Sequence, residues 1–143
     1  MTTIERTVTT STAPDTVFAY LVDFENATEW DSGTLSCVKV SGDGGVGTVY
    51  RNVSTFAGNQ VSLEYTVEVV DQPEFVIVGR NETTTSRDTI TVTPAGDGGS
   101  IVAYTAEFTF SGMVRFIGPV MGPLLGRLGD RTAAQLKSTL DSV

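Results

Sequence analysis

Tyr65 and Tyr104 are the side chains of this chain that most invite a chemical reading. Each lies in a run that alternates apolar and polar residues, and each falls on the apolar side. A tyrosine turned inward needs a partner for its hydroxyl, which backbone, water or a ligand can supply. A satisfied core tyrosine is the plainer outcome. Glu64 and Glu68 form a second pair, two carboxylates on one strand face, the arrangement used for acid and base work in glycosidases. They share that face with Ser62 and Thr66, which marks it as wet. Trp30 stands among Glu25, Glu29 and Asp31, where a divalent metal is conceivable. No Asp-x-Asp loop or glycine turn accompanies them, so a solvated face is expected and no metal or other cofactor.

The chain contains no histidine, which removes the usual base near neutral pH, the Ser-His-Asp and Cys-His arrangements, and most zinc and haem sites. One cysteine, Cys37, excludes an internal disulfide and a multi-thiolate zinc site. With no histidine to activate it, an inert thiol is expected. No catalytic set is therefore identifiable. Neither Gly-Asp-Gly-Gly stretch, at Gly42 or Gly96, continues into the Gly-Lys-Ser/Thr of a phosphate loop.

With 143 residues and a net charge of −8, the chain fits one acidic domain, residues 1–143. Phosphate backbones and anionic lipid repel such a chain, so neither nucleic acid nor membrane-surface partners are expected. Phe116 to Leu125 is 10 residues without a charge, against about 20 needed to span a bilayer, so no insertion is expected. The N-terminus lacks a basic start and an apolar core, which leaves a cytoplasmic location as the expectation. Asn-x-Ser/Thr triplets at Asn26, Asn52 and Asn81 then read as chance matches.

Those side chains need elements to hold them. Thr2 to Thr10 alternates as a strand. Ser11 or Thr12 can cap a helix that Pro14 opens, with Val17, Phe18, Leu21 and Val22 as its apolar stripe and Asp23 at its end. Phe24 to Trp30 reads as a second short helix. Two strands follow between Leu35 and Phe56. The next strand places Val61, Leu63, Tyr65, Val67 and Val69 on one face. Between Gly47 and Phe56 the faces compete: Val49, Arg51 and Val53 against Tyr50, Asn52 and Phe56. Phe75 to Thr83, Arg87 to Thr93 and Ile101 to Phe110 complete the strands, and the Gly-Asp-Gly-Gly stretches make hairpin turns. Val102, Tyr104, Ala106, Phe108 and Phe110 share a face. A long amphipathic helix closes the chain, with Phe116, Val120, Leu124, Leu128, Thr132, Leu136 and Leu140 as a stripe that Met113, Ile117, Met121 and Leu125 widen. Gly118-Pro119 and Gly122-Pro123 disturb its start.

The order of "APDTVFAYLVDFENATEWD", "GDGGVGTVYR", "VEVVDQP", "TPAGDGGSIVAYTAEF" and the closing helix resembles the START-related helix-grip superfamily, which includes birch-pollen-allergen-like and polyketide cyclase/dehydrase-like proteins. These stretches cover nearly the whole chain, and their specificity lies in order and spacing. The resemblance implies an α+β helix-grip fold. A seven-stranded antiparallel sheet wraps the long C-terminal helix, two short helices follow the first strand, and a hydrophobic cavity lies inside.

A small hydrophobic molecule, a lipid, polyketide or aromatic, is then the expected partner. Its walls are expected from Trp30, Tyr50, Tyr65, Asn81, Tyr104, Phe108, Phe116, Ile117, Met121 and Leu125. Asn81 enters as a polar group on the face of Phe75 and Ile77, and the methionines as adaptable wall. A polyketide cyclase/dehydratase-like enzyme using the same cavity is the alternative. With histidine absent, Tyr, Arg, Asp or Glu would carry its protons, and a buried carboxylate or arginine beside Tyr65 or Tyr104 would mark it. A monomer and a homodimer both fit.

Overall fold

The computed structural model describes residues 1–112 and 118–143, and within the last helix the side chains from 121 onward. Strand β1 (Thr2–Thr10) leads to helix α1 (Pro14–Val22), a 3-10 turn (Phe24–Asn26) and the single-turn helix α2 (Ala27–Trp30). Six strands follow: β2 (Thr34–Ser41), β3 (Val49–Phe56), β4 (Asn59–Asp71), β5 (Glu74–Arg80), β6 (Thr84–Pro94) and β7 (Ser100–Phe110). Helix α3 (Gly118–Leu140) ends the fold. The seven strands form one sheet in the order β1-β7-β6-β5-β4-β3-β2, antiparallel throughout. First and last strands pair, from Thr2 opposite Phe108 to Thr10 opposite Ser100. These are the elements of the helix-grip α+β class.

Two of the hairpin connections turn on glycines at positive φ. Gly42 and Gly44 (φ 95° and 100°) sit between β2 and β3, and Gly96 and Gly98 (φ 88° and 91°) between β6 and β7. Several expected details shift. The strand expected to reach Thr83 ends at Arg80, and Asn81 turns the chain into β6. Its side chain accepts from the Thr83 and Thr84 amides and donates to the Ser62 carbonyl. An asparagine that can cap a turn this way satisfies more backbone than one on a strand. A bulge between Val67 and Val69 pairs Val69 with Val76 and Val70 with Phe75. Val70, not Val69, therefore joins the inner face. In β3 the inner set is Tyr50, Asn52, Ser54 and Phe56, which settles the competing faces. Helix α1 begins at Pro14 with Ala13 as an N-cap that offers no side chain. Thr12 instead donates to the Leu140 carbonyl at 2.6 Å, tying the start of α1 to the end of α3.

The core is built where α1, the 3-10 turn and α2 close one end of the inner sheet face. Val17, Leu21, Phe24 and Trp30 meet Tyr50, Tyr65, Phe75, Ile77 and Val102, all buried. Phe24 is the hub, with ring centroids 5.0 Å from Tyr65 and 5.7 Å from Tyr50. Helix α3 lies along β1 and against α2. Its buried residues are Leu125, Gly129, Thr132, Leu136 and Leu140, while Leu124 and Leu128 are half-buried. A strict spacing of four drifts around a helix of 3.6 residues per turn, so the dry side follows a mixed spacing of three and four. Gly129 lets the helix approach: a Cβ there would stand 2.7 Å from Ile4 Cγ2. Arg6 then reaches across, donating to the Gly126 carbonyl at 2.9 Å and to Asp130 at 3.0 Å.

Candidate functional site

The inner sheet face and the first half of α3 do not meet completely. Between them lies a cavity of about 140 Å³. The sheet contributes Ile4 from β1, Ser54 and Phe56 from β3, Val61, Leu63 and Tyr65 from β4, Thr84 and Asp88 from β6, and Tyr104, Ala106, Phe108 and Phe110 from β7. Helix α3 contributes Met121, Leu125, Leu128, Gly129 and Thr132, and Asp31 enters just beyond α2. Alternation explains this wall. Alternation along β4 and β7 turns apolar residues inward, and β5 and β6 between them carry the same dry face with Phe75, Ile77, Ile90 and Val92, so the surface is continuous.

One pole of the cavity is polar. Asp88 is 4% exposed, and Ser86 beside it is fully buried. Ser86 donates to Asp88 Oδ1 at 2.6 Å, and the Tyr104 hydroxyl donates to Oδ2 at 2.8 Å. Tyr65, also buried, lines the cavity beside them. Burial pushes the Asp88 carboxyl up from an ordinary 3.8 to about 6, the nearby Asp31 charge adds to that, and the two donors pull it back. The same desolvation, reinforced by Asp88, holds the Tyr65 and Tyr104 hydroxyls well above the usual tyrosine range, so both stay protonated. This pole can hold a proton or accept a hydrogen bond in surroundings that exclude water.

Of the residues expected to form the walls, Tyr65, Tyr104, Phe108, Met121 and Leu125 line the cavity. Phe116 and Ile117 lie outside the described residues, as does Met113. Trp30 lies behind the wall: its ring meets Tyr104 edge-on at 5.9 Å, and its indole Nε1 has no hydrogen-bond partner among the described residues. Tyr50 is core, buried with its ring edge-on to Phe24 at 5.7 Å. Asn81 is a correction: it is exposed at the β5–β6 turn and does not face inward with Phe75 and Ile77. Glu64 and Glu68 are exposed and paired with Arg51 at 3.5 Å and Arg87 at 2.6 Å, as a wet face requires.

Two carboxylates escaped the reading of the sequence. Asp31, expected on a solvated face, is half-buried and lines the cavity. It accepts from Thr34 Oγ1 at 2.9 Å and from Thr132 Oγ1 at 3.1 Å, which fastens the end of α2 to α3. Asp88 carried a signal: it keeps parity with Ile90 and Val92, a carboxylate on an otherwise apolar strand face. The strand begins at Thr84, three residues before the expected Arg87, and that longer run makes the parity plain.

Comparison with known structures shows the same fold over nearly the full length. A START superfamily protein from Mycobacterium smegmatis matches with a TM-score of 0.82 at 15% identity, covering 98% of this chain and 97% of that one. The ZhuI aromatase/cyclase from Streptomyces sp. R1128 matches with a TM-score of 0.82 at 11% identity, covering 97% and 93%. Ara h 8.0201 matches with a TM-score of 0.71 at 17% identity, covering 99% and 98%. No curated protein matches the chain. The family model described as polyketide cyclase / dehydrase and lipid transport matches residues 1–141. With a sheet gripping its last helix around a lined cavity, and with that match over nearly every residue, the chain belongs to the polyketide cyclase / dehydrase and lipid transport family.

Proposed function

We propose that the protein binds or carries a small hydrophobic molecule in the cavity between the sheet and the C-terminal helix. One observation carries this reading: among the described residues, a largely apolar wall of aromatic, branched and methionine side chains surrounds empty space, with polar groups at Asp88 and Tyr104. A void of this size favours a ring-sized guest, since an engineered apolar cavity of about 150 Å³ takes up benzene. The test is a titration with toluene followed by amide chemical shifts. Shifts clustered at residues 61–65, 104–108 and 121–129 are expected. The Ala106→Leu variant, which places a side chain into the space, is expected to lose them. Absence of any response to aromatic compounds from benzene to naphthalene would sink the reading.

The second reading is an enzyme of the cyclase/dehydratase kind working in the same cavity. Asp88 favours it, because a buried carboxyl that titrates near pH 6 can take and return a proton close to neutrality. Its test is turnover of a poly-β-carbonyl compound. Rates left unchanged by both Asp88→Asn and Tyr104→Phe would remove the pole from any catalytic role.

A further inference from the structure

The polar pole has a direction of hydrogen bonding that restricts what can bind. Ser86 and Tyr104 each spend their single hydroxyl proton on Asp88. What their oxygens and the carboxylate still offer is lone pairs. An ionised carboxylate accepts about four hydrogen bonds, and among the described residues two side-chain donors are in place here. The charged and titratable groups around it are Tyr104 from β7, Tyr65 from β4 and Asp31 beyond α2, with none of opposite sign among the described lining residues. With Asp88 ionised, a guest that only accepts hydrogen bonds leaves the carboxylate's acceptor capacity unfilled, and so does a guest with no polar group. A guest with one hydroxyl satisfies it. An ammonium would bring three N–H groups and a hydration shell that the apolar wall cannot replace.

We infer that the cavity selects a neutral, ring-sized molecule carrying a hydroxyl group, and that Asp88 is the acceptor of that hydroxyl's hydrogen bond. The inference rests on the ligand-binding reading above and names the class of ligand. Ser86 and Tyr104 are then positioning residues that hold the carboxylate oxygens, and Leu125 and Phe108 contribute the dry wall against which the ring lies.

The test uses p-cresol and p-xylene, which differ by a hydroxyl in place of a methyl, titrated calorimetrically into wild type, Asp88→Leu and Asp88→Asn at pH 8. The preference for p-cresol over p-xylene is compared between proteins, which cancels the different cost of taking the two probes out of water. A charge-assisted hydrogen bond makes a tenfold or greater fall in that preference the expectation for Asp88→Leu, with p-xylene still bound as proof of an intact cavity. If Asp88→Leu does not fold, Asp88→Asn carries the same comparison, with a threefold or greater fall. At pH 6 the two probes are expected to move protons oppositely. p-Cresol stabilises the carboxylate and releases protons, whereas p-xylene excludes water from it and takes protons up. An unchanged preference with p-xylene bound overturns the role of Asp88 and leaves the ligand reading standing. Binding of neither probe to wild type overturns both.

Discussion

Gly79 lies directly opposite Tyr65 in the β4–β5 ladder, and the Tyr65 ring covers it so closely that a Cβ at 79 would stand 2.7 Å from ring atoms Cε1 and Cζ. The glycine is needed for space, since its φ is not in the left-handed region. Tyr65 can lie down over β5 only because nothing rises from that position, and the side chain thereby takes its place in the cavity wall. Gly79→Ala is expected to destabilise the fold by about 1–3 kcal/mol through overpacking. Urea denaturation measures this, and the cost should shrink in a Tyr65→Ser background, where the ring is gone.

Asp88 makes stability depend on pH in a defined direction. Its native carboxyl titrates at about 6, above the ordinary 3.8 of the unfolded chain. Between these values the native state holds a proton that the unfolded state has lost. The contribution of this group therefore falls as pH rises from about 4 to about 6 and is level above. Asp88→Asn is expected to remove that slope, so the variant gains relative to wild type as pH rises through the window. Tyr104→Phe deletes a donor that lowers the Asp88 value, and is expected to move the upper end of the window to higher pH. Chemical denaturation at intervals from pH 4.5 to pH 8 checks both.

Two glycines of α3 are expected to respond oppositely to alanine. At Gly129 the new Cβ would meet Ile4 Cγ2 at 2.7 Å and Arg6 Nη2 at 3.2 Å, forcing the helix off β1. At Gly126 no atom of the described residues outside the helix's own backbone lies within 4 Å of that position. Gly126→Ala should gain up to about 1 kcal/mol from helix propensity. Gly129→Ala should lose about 1–3 kcal/mol in spite of the same propensity. Paired thermal and urea unfolding curves separate the two.

Cys37 is buried, and desolvation pushes its thiol up to about 11, with the Asn52 hydrogen bond working against that. At pH 8 a thiolate is scarce and screened from reagent. Alkylation by iodoacetamide is expected to run orders of magnitude slower in native than in urea-unfolded protein. A native rate within tenfold of the unfolded one would contradict the burial of this thiol.

The alternation of β4 and β7, the turn glycines and the run of apolar residues at the end of the chain were legible in the linear order, because each is a local pattern with its own period. They sufficed for seven strands, a sheet with one dry face and a helix to cover it, and for Tyr65, Tyr104 and Phe108 on that face. The absence of histidine restricted the chemistry before any coordinate was known. The polar pole was not legible as a unit. Tyr104 stands opposite Ile90, so its hydroxyl finds Asp88 along a diagonal of the β6–β7 ladder, and a one-residue slip in register would send it to the other face. Asp31 looked solvated until Thr132, 101 residues later, closed over it. Local order decides which residues face inward. Which of them meet, and which carboxyl loses its water, depends on register and on the packing of distant elements, and only the folded chain determines that.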